Sequence, residues 1–409
     1  MGTDTAPRTV GPARRWAMLA TGTGAQAAAA AVTAAPAFLI PELVRPRAEG
    51  GFGLSLAQAG LVAAAPSVGL TLTLVLWGLL VDRRGERFAL LTGLSLATLG
   101  GVLAAIASGP WPIAAALTLA GVGAAATNSA SGRVVVGWFP PERRGLAMGI
   151  RQTGQPLGVG LAAVTVAALA HAHGIGTALT VPTAAVALAG VAVGLVVLDP
   201  PRPQRPARVQ LANPYRSDAF LARIHLASVM LVVPQFVVWT FGLVWLVEEL
   251  DYSPGIAGLI VGATQLAGAA ARIGAGWVSD RVGSRMRPMR SVAVAAAATM
   301  LALGLVAGIA DPHTVTAIAA VVLLVVASAV TVADNGLAFT AVAERAGPFW
   351  SGRALGLQNT SQYLAAGVVP PVAGLAITAW GYPTAFALAA ALPLLAITLV
   401  PVRGERPTR

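Results

Sequence analysis

Twelve long apolar stretches follow one another along this sequence, and they constrain its fold more than any other feature. A helix needs about 20 mostly apolar residues to cross the roughly 30 Å hydrocarbon layer of a membrane. The stretches are continuous runs of Ala, Leu, Val and Gly, whereas the strands of a β-barrel alternate between apolar and polar residues. We therefore predict an all-α membrane protein with twelve transmembrane spans, at residues 16–40, 57–81, 87–108, 112–138, 144–169, 177–198, 220–248, 256–279, 289–310, 314–343, 351–377 and 383–402.

The composition agrees with a membrane protein and excludes several other classes. Apolar residues make up 56% of the 409 residues and charged residues 11%, whereas soluble domains carry about 25% charged residues. Cysteine is absent and the four histidines are scattered, so we expect neither disulfides nor a metal site. The net charge of +11 comes from arginines that lie between the spans, and this distribution does not indicate binding to nucleic acid.

The sequence has no constellation typical of an enzyme, a primary pump or a channel. Lysine is absent, so the G-x-x-x-x-G-K-[ST] motif that holds nucleotide phosphates cannot occur. No Ser/His/Asp arrangement or metal-ligand cluster is present, and the polar residues do not repeat as the rings of a selectivity filter do. We therefore expect no enzymatic activity and no cofactor.

The placement of arginine predicts the orientation of the spans. If the N-terminus is cytoplasmic, most loop and tail arginines lie inside, and the outside loops carry only Arg45 and Arg47. The opposite topology would reverse this bias. We predict a multi-pass protein of the plasma membrane with both termini in the cytoplasm.

The two halves of the chain repeat each other. The segment Gly78–Gly85 matches Gly276–Gly283, 198 residues later, with the shared pattern G-x-x-x-D-R-x-G. The segment Gly145–Gln155 matches Gly352–Gln362, 207 residues later. A duplication explains both matches. It predicts an N-terminal six-helix bundle at residues 1–198, a proline-rich cytoplasmic linker at 199–219 and a C-terminal six-helix bundle at 220–409.

The duplicated loops resemble the hallmark of the major facilitator superfamily of secondary transporters, G-x-L-x-D-R-x-G-R/K. The first copy, Gly78–Arg87, departs from that pattern because Glu86 precedes the basic residue, and the second copy, Gly276–Arg285, is degenerate. The resemblance covers essentially the whole chain. It implies two pseudo-symmetric six-helix bundles around a central cavity, which the bundles expose alternately to each side of the membrane.

The resemblance also implies a role for the two loop carboxylates at the cytoplasmic face. Asp82 would face the start of span 11 and Asp280 the start of span 5, where the N–H groups and partial positive charge of a helix N-terminus favour a carboxylate. Such contacts would form only when the cytoplasmic side is closed, whereas ordinary surface ion pairs are the alternative. We predict a cytoplasmic gate of Gly78, Asp82, Arg83, Gly85, Arg144, Gly276, Asp280, Arg281, Gly283 and Arg353.

Polar side chains inside the spans are costly in a membrane, and they usually face a cavity or a partner. They lie on spans 1, 4, 5, 7, 8, 10 and 11, and almost none lies on the four spans that the resemblance places outermost. Arg133 and Arg151 could instead reach the membrane surface, and the aromatic residues of span 7 could be packing. We predict a substrate and ion pathway lined by Gln26, Asn128, Arg133, Arg151, Gln155, Gln235, Trp239, Gln265, Arg272, Asp334, Asn335, Gln358 and Gln362.

Arg272 and Asp334 are the clearest charged residues within the spans of the second half. At 1.5 Å per residue they lie about 12 and 15 Å from the cytoplasmic surface, so their depths nearly match. We expect Asp334 to pair with Arg272 in the empty protein. An anionic substrate would compete for Arg272, and the released Asp334 would take a proton. A permanent structural pair is the alternative.

These features predict a monomeric secondary transporter that moves a small organic anion by alternating access and is coupled to protons. An arginine on span 8 resembles the arrangement in organic-anion and oxyanion carriers of the superfamily. Efflux of drugs or metabolites is the alternative, although this chain lacks the arginine deep in span 4 and the G-P-x-x-G-G sequence of span 5 that drug antiporters typically carry. A receptor that binds its ligand without translocating it is a further alternative.

Overall fold

The computed structural model describes residues 10–201, 212–312 and 314–405. Much of the predicted linker, residues 202–211, and the outermost residues of both termini lie outside these ranges. The described residues form helices and no strand. The α-helices are α1 (Pro12–Ala34), α2 (Ile40–Val44), α3 (Leu56–Arg84), α4 (Glu86–Ile106), α5 (Pro110–Trp138), α6 (Pro141–Arg151), α7 (Gly154–Val196), α8 (Phe220–Glu248), α9 (Pro254–Val282), α10 (Met286–Ala307), α11 (Val315–Val330), α12 (Asp334–Ala346), α13 (Ser351–Ala389) and α14 (Ala391–Leu399).

Among the described residues, ten helical stretches are long and apolar enough to cross a membrane. Two of them, Pro141–Val196 with 56 residues and Ser351–Gly404 with 54, are more than twice the length that one crossing needs. Each is broken by a glycine with positive φ, at Gly174 (84°) and Gly381 (79°). Each stretch therefore contains two spans, and the predicted all-helical fold with twelve spans is confirmed.

Large apolar side chains are exposed along these helices. Leu72, Leu195 and Val315, for example, have exposed fractions of 73%, 76% and 80%. A water-soluble monomer rarely exposes apolar surface on this scale, whereas lipid tails cover it in a membrane.

The chain forms two compact units. The first contains residues 1–139, 153–212 and 346–360, and the second contains residues 140–152, 213–345 and 361–409. Each unit thus takes most of one half of the sequence and one short segment of the other half. These two exchanged segments, 140–152 and 346–360, begin spans 5 and 11.

Small residues allow close helix packing within each unit. In the first unit, α1 packs along α7 and α5, and the apolar core includes Leu39, Leu117 and Leu179. In the second, α9 packs along α6 and α11, and α8 packs on α14. Trp245 and Phe386 meet edge to face in that core, with ring centroids 5.4 Å apart.

Helices α3 and α9 begin and end alike, 198 residues apart. The hydroxyls of Ser55 and Ser253 each accept the backbone N–H three residues later, at 3.3 and 3.4 Å, so a serine caps both N-termini. Both helices end at a glycine with positive φ, Gly85 (99°) and Gly283 (65°). Residues other than glycine rarely adopt this conformation. The internal repeat therefore extends over both helices.

Span 10 is interrupted in the second unit. Helix α11 ends at Val330, a turn covers residues 331–333, and α12 begins at Asp334. Span 5 is interrupted too, because α6 ends at Arg151 and α7 begins at Gly154. Interrupted helices frequently form ion and substrate sites in transporters, since the half-helix ends carry partial charges.

Candidate functional site

Asp280 binds the backbone of α6 in the second unit. It lies near the end of α9, and its two carboxylate oxygens accept the N–H groups of Gly145 at 2.9 Å and Leu146 at 2.8 Å. Arg285 also forms an ion pair with this carboxylate. The predicted contact with the start of span 5 is present.

Asp82 makes the equivalent contact in the first unit. Its carboxylate accepts the N–H groups of Gly352 at 2.8 Å and Arg353 at 3.0 Å, in the first turn of α13. The Nε group of Arg353 donates to it as well, at 2.8 Å. We call these two interactions, of Asp82 and of Asp280 with the backbone N–H groups, the carboxylate contacts.

Glycines make the carboxylate contacts possible. A Cβ atom on Gly276 would lie 2.1 Å from the carbonyl oxygen of Gly145, and one on Gly78 would lie 2.3 Å from that of Gly352. Real Cβ atoms do not approach an oxygen so closely, so any other residue would push the helix backbones apart. The glycine spacing that the repeat preserves is therefore required by the packing.

A charged cluster that the sequence did not predict surrounds Asp280. Arg285 is buried and also pairs with Glu344 of α12, at 3.4 Å, and Glu344 in turn pairs with Arg144, at 3.3 Å. Burial alone would lower the pKa of Arg285, but the charges of Glu344 and Asp280 outweigh it, and the pKa is raised. The sequence pointed to Arg281 instead, whose guanidinium lies 3.7 Å from the centre of the Trp277 ring.

Three other predicted gate residues make none of the contacts described above. Gly85 and Gly283 end their helices, and the carboxylate of Asp199 lies close to Gly85. Arg83 is exposed.

Arg133 lies in a different place from the one that the sequence predicted. It is buried, it forms an ion pair with the fully buried Glu86, and it donates to the carbonyl of Pro348 and to the hydroxyl of Ser351 at 3.0 Å. It therefore contacts the beginning of α13, close to Asp82, rather than the polar residues of the expected pathway.

Buried amides link the spans within each unit. In the first unit, Gln26 donates to Asn128 at 3.2 Å. In the second, Asn335 donates to Gln235 at 3.1 Å and accepts from Gln362 at 3.2 Å, and Gln362 also donates to Ser228 at 2.8 Å. Asn128 and Asn335 are 207 residues apart, which is one of the two offsets of the internal repeat, so a buried Gln–Asn bond occurs at the equivalent place in each unit.

Arg272 and Asp334 are both buried in the second unit, with exposed fractions of 4% and 1%. They interact electrostatically, but the expected ion pair is not formed. Neither carboxylate oxygen of Asp334 has a hydrogen-bond partner among the described residues. Arg272 has no hydrogen bond or ion pair there either, and its guanidinium lies 5.9 Å from the centre of the Trp239 ring.

The two charges occupy different positions on their helices. Asp334 is the first residue of α12, where the partial positive charge of a helix N-terminus favours a carboxylate. The guanidinium of Arg272 lies near Gly268 instead, with Nη1 3.8 Å from the position of a Cβ atom there. The two charges thus lie close to each other but form no direct ion pair.

Arg151 is a third buried charge of the second unit. It forms a hydrogen bond with Gln152, and its guanidinium lies 5.6 Å from the centre of the Phe339 ring. Of the remaining predicted pathway residues, Gln265 of the second unit is half-buried, and in the first unit Gln155 is exposed and Gln358 is buried.

The internal repeat gives neutral counterparts for these charges. Arg272 corresponds to Leu74 and Asp334 to Thr127 at the offsets of 198 and 207. The backbone carbonyls of Arg272 and Leu74 face equivalent glycines, at 2.4 Å from a Cβ on Gly149 and 2.7 Å from one on Gly356. Because Leu74 allows the same packing without a charge, the packing does not require the charge of Arg272.

Comparison with known families agrees with this architecture. The family model described as Major Facilitator Superfamily matches residues 17–370. The chain belongs to the Major Facilitator Superfamily. This transporter is 45% identical over 395 residues to an uncharacterised MFS-type transporter of Mycobacterium tuberculosis, a match that covers 96% of this chain and 86% of that protein.

Two further similarities are more distant. The transporter superposes on the fucose:proton symporter of Escherichia coli with a TM-score of 0.74 and 18% identity, over 95% of this chain and 98% of that chain. That similarity establishes the fold alone. A stretch of 105 residues is 30% identical to a hexuronate transporter of Bacillus subtilis, over 26% of this chain and 25% of that protein.

The chain is therefore a multi-pass membrane transporter of a small solute, and it is not an enzyme. Among the described residues, no group of acidic, histidine or cysteine side chains could hold a metal ion. Buried polar side chains lie within both units, and the second unit holds the buried charges Arg272, Asp334 and Arg151.

Proposed function

We propose that this transporter moves a small organic anion across the plasma membrane together with protons, with Arg272 as the anion-binding residue and Asp334 as the proton-binding residue. The observation that carries this proposal is the pair of buried charges that lie close together without a direct bond. A structural ion pair in a membrane offsets the cost of its burial only with good geometry and satisfied hydrogen bonds, and this pair has neither.

Arg272 fits a carboxylate of the substrate. A guanidinium has five N–H donors in a planar fork that matches a carboxylate in bidentate geometry. None of these donors is used within the described residues, while the Trp239 ring stabilises the cation through its face. The short similarity to a protein named as a hexuronate transporter supports this substrate class, since a hexuronate is an organic anion.

Asp334 fits proton binding. Its buried carboxylate lacks hydrogen-bond donors within the described residues, so the nearby positive charge of Arg272 compensates its charge. When a substrate carboxylate neutralises Arg272, that compensation is lost, and protonation of Asp334 becomes favourable. Anion binding and proton binding are thereby linked.

The carboxylate contacts fit alternating access. Each joins a loop of one half of the sequence to the beginning of a span of the other half. We propose that they stabilise the state in which the cytoplasmic side is closed, with both termini in the cytoplasm. The state that exposes the substrate to the cytoplasm would break them.

Counterflow in proteoliposomes tests the substrate class. Labelled carboxylates and labelled hydrophobic cations are offered to the wild type, to Arg272→Leu and to Arg216→Leu, which removes an exposed arginine outside the site. We expect counterflow of a carboxylate by the wild type and by Arg216→Leu, and at least a 100-fold loss in Arg272→Leu, corresponding to about 3 kcal/mol for a charged hydrogen-bonded pair.

The leucine is chosen because the chain carries leucine at the equivalent position 74, so the variant should fold. Counterflow of cations that persists in Arg272→Leu would instead favour the efflux function. Binding of a carboxylate without any counterflow would identify a receptor.

A further inference from the structure

A cavity of about 650 Å³ lies in the second unit, apart from the site of Arg272. It lies where α8 and α10 begin and where α12 and α14 end, on the side that arginine placement predicts to be cytoplasmic. Cavities of this size hold small molecules or headgroups. The proposed transport function does not use it.

The cavity is strongly basic. Its lining includes four arginines and one aspartate, so that its formal charge is +3. The charged lining residues are Arg223, Arg290, Arg345, Arg403 and Asp218.

Two of the four arginines, Arg223 and Arg345, are held by bonds to other residues of the second unit. Arg223 donates to the carbonyls of Thr398 and Leu399 at 3.0 and 2.9 Å and thereby fixes the end of α14. Arg345 pairs with Asp218, and its guanidinium lies 4.6 Å from the centre of the Phe220 ring.

Arg290 and Arg403 are exposed. Neither has a hydrogen bond or an ion pair within the described part of the chain. Their donors are therefore available to a ligand.

The rim of the cavity continues into apolar surface that faces lipid. Val294 lies one helical turn beyond Arg290 on α10 and is 51% exposed. Leu394 and Leu395 lie one turn before the lining residue Thr398 on α14 and are 48% and 54% exposed. A molecule with an anionic head and apolar tails would bury its head among the arginines and lay its tails along these side chains.

We propose that this cavity binds the phosphate headgroup of an anionic phospholipid. Guanidinium groups match phosphate oxygens in bidentate geometry, and basic pockets between transmembrane helices at the cytoplasmic side suit such headgroups. The apolar rim favours a lipid over a soluble phosphate, because a soluble ion gains nothing from Val294, Leu394 and Leu395. Asp218 is the internal anion that a lipid phosphate would partly replace at Arg345.

Native mass spectrometry of the full-length protein in detergent tests this site. The protein is titrated with phosphatidylglycerol, with phosphatidylcholine and, in a separate arm, with inorganic phosphate. Arg290→Gln/Arg403→Gln removes the two arginines that have no partner within the described residues. Arg14→Gln/Arg216→Gln removes the same charge from exposed positions outside the cavity. Thermal unfolding in detergent without added lipid verifies that both double variants are folded.

We expect one tight site for phosphatidylglycerol over phosphatidylcholine in the wild type and in the control variant. Its affinity should fall roughly 30-fold in Arg290→Gln/Arg403→Gln, since each arginine near a membrane surface contributes a factor of about five. Equal binding of the two lipids, or equal loss in both double variants, would overturn the proposal. Tight binding of inorganic phosphate with the same dependence on Arg290 and Arg403 would overturn the lipid as the occupant.

Discussion

The carboxylate contact of Asp280 can be weakened without changing the shape of the side chain. Asp280→Asn removes the charge and replaces one acceptor oxygen by an NH₂ group, so the amide can keep only one of the two backbone bonds from Gly145 and Leu146. A hydrogen bond to a charged group contributes roughly 1.5–3 kcal/mol, and the side chain is only 6% exposed, so solvent screens it little. The state that uses the contact should lose that amount of free energy.

The expected result is a shift of the conformational equilibrium by about 10- to 150-fold toward the state with an open cytoplasmic side. Double electron–electron resonance can measure the populations, because the chain has no cysteine and labels can be placed at Arg84→Cys and Arg287→Cys. Glu142→Gln is the matched control, since it neutralises an exposed acid of α6 that makes no contact with Asp280.

The long-distance population should increase in Asp280→Asn, and likewise in Asp82→Asn, but not in Glu142→Gln. Distance distributions that are identical in all four proteins would refute the role of the carboxylate contacts.

Three further predictions use the same structure. Gly276→Ala should open the cytoplasmic side as Asp280→Asn does, because its Cβ would lie 2.1 Å from a carbonyl oxygen. Gly274→Ala is the control, since a Cβ there would have open space around it. Equal distance distributions for the two variants would contradict this prediction. Arg133→Leu should lower the free energy of unfolding by about 3–5 kcal/mol because it removes the cation that pairs with the buried Glu86, and Arg133→Leu/Glu86→Leu should recover most of it in thermal unfolding. No recovery would mean that Arg133 stabilises the fold mainly through its hydrogen bonds to Pro348 and Ser351 rather than through Glu86. A cysteine at residue 205, outside the described residues, should react only after the membrane is permeabilised, and labelling from outside intact cells would disprove the topology.

The sequence predicted those features that depend on periodicity or on the internal repeat. Span length and continuous apolar composition were sufficient for twelve helices, and the repeated G-x-x-x-D-R-x-G loops identified Asp82 and Asp280. Span length and the repeated loops are signals that a single sequence preserves. The partners of the two carboxylates, at the starts of spans 11 and 5, were expected from the family resemblance.

Contacts that depend on the direction of a side chain could not be predicted. Glu86 looked like a small displacement within a loop motif, but it is buried against Arg133, 47 positions away. Arg285 follows a turn at Gly283, and only the conformation of that turn brings it back to Asp280.

For Arg272 and Asp334, the depth of each residue counted along its helix was not sufficient to predict their contacts. Counting residues along helices placed the two charges at similar heights, and they do interact electrostatically. The interruption of span 10 at residues 331–333 was not visible in its apolar composition, and it determines where the Asp334 carboxylate lies. The sequence therefore could not show that Arg272 and Asp334 form no ion pair.

Proton uptake on substrate binding tests the central claim most directly. The purified transporter is mixed with a saturating concentration of the carboxylate identified by counterflow in weakly buffered solution, and the protons taken up per bound anion are measured. Asp334→Thr serves as the comparison, because threonine is the residue at the equivalent position 127. We predict uptake of about one proton by the wild type and none by Asp334→Thr, which should still bind the anion. Equal proton uptake by the two proteins, or no uptake by the wild type, would contradict the linkage between Arg272 and Asp334.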